Sequence, residues 1–241
     1  MAYIERRVYA GKTVEIKRYH TRQQKSKGQP RIRKEPTTEE RQKSNLKQAE
    51  EKLRQKLNEN FSENDLLVTL SYSKENGNKT RTAEQMKEDK KLFFRELRKK
   101  YKAEGGEMKF VYVAEIGPLG SRHHHVVLSG IDPKIIKDCW PYGFADFKYL
   151  DKSGNYKKIA SYFIKYSEKT FRTVGKLAGQ RYSCSRNLRE PKVRKTVITK
   201  ADTFAKNVRA PKGFYLDKES ERFGVDMYGN VFHQYILVRL E

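Results

Sequence analysis

The chain has 241 residues, room for one domain of ordinary size with an appendage or for two small domains. Its 53 Lys and Arg against 30 Asp and Glu give a formal charge of +23, which points to a polyanionic partner, nucleic acid or an anionic membrane, and away from a small acidic substrate, which would not need it. No apolar run approaches the roughly 20 residues of a bilayer span and MAYIERRVYAGK lacks a signal-peptide core, so a cytoplasmic protein is expected, with Cys139 and Cys184 as free thiols.

The first 45 residues, including KSKGQPRIRKEP, carry much charge and little that could be buried, so a flexible basic arm is expected. After Pro36, Thr37 and Glu40 have capping-box spacing, and Leu46, Ala49, Leu53 and Leu57 recur at helical spacing behind them. Arm and helix make up the expected block 1–60. From Leu66, LLVTLSYS reads as a strand and KENGNKTRT as a polar loop. Thr82 with Gln85 caps a helix whose apolar face is Met86, Phe93, Phe94, Leu97 and Tyr101. MKFVYVAEIG is a strand, GPLGS a turn, and HHHVVLSG the strand beside it. Asp132 and Pro133 suit the N-cap and first turn of a short helix, IIKDC; GFADFKYL is a further strand, and residues 156 to 169 a helix.

The order β, α, β, β, α, β, α implies an α+β fold: a ferredoxin/RRM-like antiparallel sheet (βαββαβ core) over 61–170 with its helices on one face. The remainder, 171–241, is expected as a basic, β-containing C-terminal extension packed on that core, with a hairpin at YGN, Tyr228 to Asn230.

Three of the five histidines fall together in SRHHHVVLSG. Strand alternation puts His123 and His125 on one side and His124 on the other. Glu115, across the short turn, completes a set of two imidazoles and a carboxylate that suits Mn²⁺ or, more weakly, Mg²⁺ and leaves coordination positions for phosphate oxygens. Histidines on a strand are more often ordinary surface or core residues, so the metal site and the plain strand stay as alternatives at this point. In IASYFIKYSEKT, Tyr162 and Tyr166 lie four apart, each followed three residues later by a lysine, Lys165 or Lys169. A phenol attacks a phosphodiester only when helped to lose a proton of ordinary pKa about 10, which a lysine or a metal ion assists. The alternative is a pair of core tyrosines with their hydroxyls at the surface.

The succession LLVTLSYS, EIGPLGSRHHHVVL, YFIKYSEK resembles the three ordered motifs of the HUH endonuclease superfamily, and most closely the rolling-circle replication initiator (Rep) proteins of plasmids, single-stranded DNA phages and mobile elements. The resemblance covers residues 66 to 169, with WPYGFADFKYL and RYSCSRNLREPK as looser matches. It implies a metal-dependent tyrosine DNA endonuclease and strand transferase that holds Mn²⁺ or Mg²⁺ on His123, His125 and Glu115. Tyr162 would be the nucleophile, Lys165 the motif lysine, and Tyr166 with Lys169 a second, alternating pair. His124 departs from the pattern, which usually has a bulky apolar residue there.

The basic residues from Lys165 onward offer a backbone track, with Arg122, Arg172, Arg181, Arg186, Arg189 and Lys192 as candidate DNA contacts. The partner expected is single-stranded or hairpin origin DNA. The phosphate-loop pattern GxxxxGK[ST] does not occur, so a host helicase and replication machinery would supply unwinding. Two other readings remain: a conjugative relaxase or single-strand transposase with the same chemistry, and a non-catalytic RRM-like nucleic-acid-binding module.

Overall fold

The computed structural model describes residues 2–20, 37–117, 119–174, 181–201, 204–205 and 207–240, with only the backbone for 171–174. In chain order the elements are β1 (Tyr3–Ala10), β2 (Thr13–Tyr19), α1 (Thr38–Asn60), β3 (Leu66–Tyr72), α2 (Ala83–Ala103), β4 (Phe110–Ile116) and β5 (Arg122–Leu128). There follow α3 (Pro133–Asp138), β6 (Gly143–Tyr149), α4 (Lys157–Val174), β7 (Ser183–Cys184), β8 (Lys192–Ile198), β9 (Phe214–Val225) and β10 (Val231–Arg239). They fall into two units: the first holds Met1–Asn60, Ser153–Tyr156 and Arg189–Glu241, the second Phe61–Lys152 and Lys157–Leu188.

The second unit is a mixed α/β body on a five-stranded antiparallel sheet of order β6-β3-β5-β4-β7. Alternation in β3 sends Leu66, Val68, Leu70 and Tyr72 into a core shared with Phe93, Phe94 and Leu97 of α2 and Ile136 of α3. The expected caps are present. Thr82 and Gln85 satisfy each other's backbone N–H, and the Asp132 side chain accepts from Lys134 N with Pro133 in the first turn.

The expectation that all helices share one face of this sheet is corrected. α4 lies on the side opposite α2 and α3, where the Tyr162 and Phe163 rings meet His125. The cause is apolar residues on both faces of the inner strands. Val111, Val113 and Val127 are almost fully buried on the side away from Leu70 and Tyr72, so that face also needs a cover. α4 supplies it with Ala160, Phe163 and Ile164, and Thr170 Oγ1 accepts from Ile116 N at 3.0 Å.

The first unit is a five-stranded antiparallel sheet of order β8-β1-β2-β10-β9, with α1. Tyr3 to Tyr19, expected as part of a flexible arm, is instead the β1–β2 hairpin near the middle of this sheet; KSKGQPRIRKEP lies outside the described residues. The charge that suggested an arm is matched within the sheet. Glu5 accepts from Arg7 Nε at 2.7 Å and Arg18 Nε at 2.8 Å, while Val8, Ala10 and Ile16 point inward. Gly11 turns the hairpin at φ 54°, and a Cβ there would fall 2.0 Å from the Asn58 carbonyl oxygen. Thr37 and Glu40 cap α1 reciprocally, as expected. Leu53 and Leu57 of the expected stripe are fully buried, but so are Arg54 and Gln55, which donate to Glu15 at 2.6 Å each. The expected C-terminal hairpin forms between β9 and β10, its turn held by Asp226, which accepts from Tyr228 N and Asn230 N.

Candidate active site

β5 lies between β3 and β4, so each of its residues has a cross-strand neighbour on both sides. Register pairs Glu115 with His123 on one flank, and Ser71 with His123 and Thr69 with His125 on the other. These five residues therefore share one face. Thr69 Oγ1 lies 3.2 Å from His125 Nδ1, and Ser71 Oγ 3.3 Å from His123 Nδ1. Each ring is thus held through Nδ1 by a β3 hydroxyl, which turns Nε2 outward. His125 Nε2 meets Glu115 Oε2 at 2.5 Å, and His123 Nε2 meets Ser121 Oγ at 3.1 Å. Thr69 and Ser71 were missed by sequence reasoning. The available signal was their polarity at alternate positions of an otherwise apolar strand.

Among the described residues no three His, Cys, Asp or Glu side chains already converge as a ligand cluster. The donor chemistry nevertheless fits a divalent ion: two imidazoles with their Nδ1 atoms anchored by hydroxyls, plus a carboxylate already drawn to one of them. Burial holds His123 below the ordinary imidazole range, against the pull of Glu115, so it is neutral and able to donate its Nε2 lone pair at pH 7.

His124 faces the other way and is 1% exposed. Its Nε2 lies 2.8 Å from Tyr72 Oη and its Nδ1 2.7 Å from Tyr112 Oη. Tyr72 donates to Asp89, which also receives a bidentate pair from Arg81 at 2.7 Å each. Since Tyr72 has one proton and gives it to Asp89, the network assigns the imidazole proton to Nε2 and leaves Nδ1 to accept from Tyr112. Burial pushes the imidazole down to about 3, so it stays neutral. The departure from the resemblance is therefore a core residue whose polar atoms are all satisfied.

α4 carries the tyrosines across the His123–His125 face. Tyr162 Oη sits 3.3 Å from His125 Nε2, and the Tyr166 ring packs on Tyr162 at 4.3 Å between centroids. Burial first, then the Glu115 carboxylate, pushes the Tyr162 phenol up to about 12, so in this arrangement it keeps its proton at neutral pH. Lys165 and Lys169 are exposed on the same helix face as the tyrosines.

Residues 65–171 match the family of the replication-associated protein ORF2, a family of rolling-circle replication initiators. No curated protein and no solved structure matches the chain. The initiator segment contains Glu115, the histidine strand and both tyrosines, and its family supports DNA as the partner and an endonuclease-type activity. No helix among the described residues is long and apolar enough to cross a membrane.

The candidate DNA contacts divide between the units. In the second, Arg122 is engaged at the β4–β5 turn, where its guanidinium donates to the Gly120 and Arg81 carbonyls, and Arg181 is ion-paired with Glu168. Arg186 is exposed, and the Arg172 side chain lies outside the described residues. Arg189 and Lys192 belong to the first unit, Arg189 beside Glu59 at 3.6 Å and Lys192 exposed on β8.

Proposed function

We propose that the initiator segment cuts and rejoins single-stranded origin DNA through a 5′-phosphotyrosine intermediate and so starts rolling-circle replication. The reading is carried by one observation: the Tyr162 hydroxyl lies 3.3 Å from His125 Nε2, on the face shared with Glu115 and His123. Nucleophile and metal-type donors are thus brought together from three separate stretches of chain. The strand order β6-β3-β5-β4 supports reading the sheet as ferredoxin/RRM-like.

In the step proposed, the Tyr162 oxygen forms a bond to phosphorus, the bond from phosphorus to the 3′-oxygen breaks, and the 3′-oxygen takes up a proton while the phenol gives one up. A later 3′-hydroxyl reverses the exchange, which conserves the phosphodiester energy for joining. Lys165 and Lys169 place positive charge where the phosphate oxygens would lie. Tyr166, stacked on Tyr162, would act as the alternate nucleophile. His123, His125 and Glu115 would hold Mn²⁺ or Mg²⁺, which when bound would polarise the scissile phosphate. Origin single strands or hairpins are the substrate, and a host helicase the partner for unwinding.

The test is a labelled single-stranded origin oligonucleotide incubated with Mn²⁺ or Mg²⁺ and resolved on a denaturing gel. Wild type is expected to yield a nick and a covalent adduct at the 5′ end, and Tyr162→Phe to lose the first adduct. Partial activity in each single tyrosine variant and none in the double would establish alternation. DNA binding without any adduct in wild type would refute the nuclease and support the non-catalytic module.

A further inference from the structure

In the first unit, α1 and the β9–β10 turn border a cleft of about 580 Å³, within the roughly 300–1,000 Å³ usual for ligand sites. Its cations are Lys17, Lys43, Lys47 and Arg222, and its rings Tyr228 and Phe232.

The carboxylates of this cleft are committed to the protein. Glu40 accepts from Thr37 N in the α1 capping box. Glu51 accepts from Gln234 Nε2 at 3.0 Å and its charge faces the buried Arg54 guanidinium. Asp226 is taken up by the backbone of its own turn. The cations are not offset in this way. Lys43 and Lys47 stand one turn apart on the exposed side of α1, where like charges repel. Arg222 is exposed on β9, and among the described residues none of these three makes an ion pair. Lys17 Nζ lies 5.4 Å from the Phe232 ring centroid, and Tyr228 is 40% exposed at the tip of the turn.

Cations with no carboxylate to meet, next to accessible ring faces, suit a ligand that alternates phosphate with flat bases. The cations come from three elements, α1, β2 and β9, with no glycine-rich loop converging on one point, which suits successive phosphates of a strand better than the clustered phosphates of a free nucleotide. A duplex would hide its base faces from the rings.

We propose that this cleft is a second DNA site, which holds single-stranded DNA with its phosphates on Lys43, Lys47 and Arg222 and a base against Tyr228 or Phe232. It lies outside the initiator segment and does not depend on the nicking chemistry.

The test uses the full chain and a fluorescein-labelled oligothymidylate, read by anisotropy across a KCl series. Lys43→Ala/Lys47→Ala/Arg222→Ala is expected to weaken binding at least about tenfold and to flatten the log–log salt slope by about 2, since each single-strand phosphate contributes roughly 0.7. Tyr228→Leu should cost roughly fivefold or more, and Tyr228→Phe, which keeps the ring, much less. A control with as many charges removed from exposed α2 positions, Lys87→Ala/Arg98→Ala/Lys102→Ala, should change affinity less than about twofold. Equal losses in control and cleft variants would reduce the effect to bulk charge and overturn the proposal. So would displacement of the oligonucleotide by free dTTP at matching nucleotide concentration. Adduct formation through Tyr162 at saturating DNA should stay intact in the cleft variants; its loss there with unchanged oligothymidylate affinity would also overturn the proposal.

Discussion

Replacing His124 with leucine tests whether the middle histidine belongs to the core rather than to the metal-binding face. The imidazole is fully buried and makes two hydrogen bonds, at 2.8 and 2.7 Å. His124→Leu leaves Tyr72 with Asp89 as a partner but strands the Tyr112 hydroxyl, at about 1–3 kcal/mol for a buried unsatisfied group, plus about 1 kcal/mol for the lost Tyr72 contact. The expected loss is about 2–4 kcal/mol. Tyr112→Phe alone strands His124 Nδ1 and costs about 1–3 kcal/mol. Combined, the two changes remove both ends of one hydrogen bond, so the double variant should be less destabilised than the sum by about 1–2 kcal/mol.

Urea unfolding followed by fluorescence of Trp140, the chain's one tryptophan, reports directly on this core, because its ring lies 5.3 Å from His124. The pH dependence gives an independent check. The imidazole is held at about 3 in the folded chain against an ordinary 6.5, so below pH 6.5 the unfolded state takes up a proton that the folded state refuses. Stability from this residue is complete above pH 6.5 and declines as pH falls toward 3. At pH 5 the wild-type advantage over His124→Leu should have shrunk by about 2 kcal/mol, from about 1.36 kcal/mol per unit. Strictly additive single variants, or a wild type and variant that stay parallel from about pH 7 to 5, would refute the network.

Three further outcomes follow from the geometry. Thr69→Val removes the hydroxyl at His125 Nδ1 and should lower Mn²⁺ affinity about tenfold by calorimetry, with recovery in Thr69→Ser. Glu115→Gln should bring the Tyr162 phenol down from about 12 toward the ordinary value, seen as an earlier alkaline absorbance transition that is missing in Tyr162→Phe. Gly11→Ala places a methyl against the Asn58 carbonyl at positive φ and should destabilise the first unit by at least about 2 kcal/mol in thermal unfolding, whereas Gly213→Ala, at φ 82° with open space around it, should cost about 1 kcal/mol.

The second unit was readable in chain order because each element carries its own local signal. Leu66 to Tyr72 alternates, Met86 to Tyr101 repeats at helical spacing, and Thr82 with Gln85 and Asp132 with Pro133 mark helix starts. The β1–β2 hairpin was hidden because its strands carry many charged side chains, and composition alone does not tell a sheet face studded with Arg and Glu from a disordered arm. The face covered by α4 was equally illegible, since Val111, Val113 and Val127 look the same in sequence whether buried against a helix or elsewhere.

For the site, local sequence determined that His123 and His125 point one way and His124 the other, because the period of a strand is two. It also determined that Tyr162, Lys165, Tyr166 and Lys169 share a helix face. Tertiary structure alone decided that α4 sets Tyr162 beside His125, that β3 hydroxyls hold both outer rings by Nδ1, and that Tyr72, Asp89 and Tyr112 account for His124. Those partners lie between 10 and 56 residues from the groups they meet. Contacts at that separation are set by sheet register and helix packing, and no periodicity along the chain encodes them.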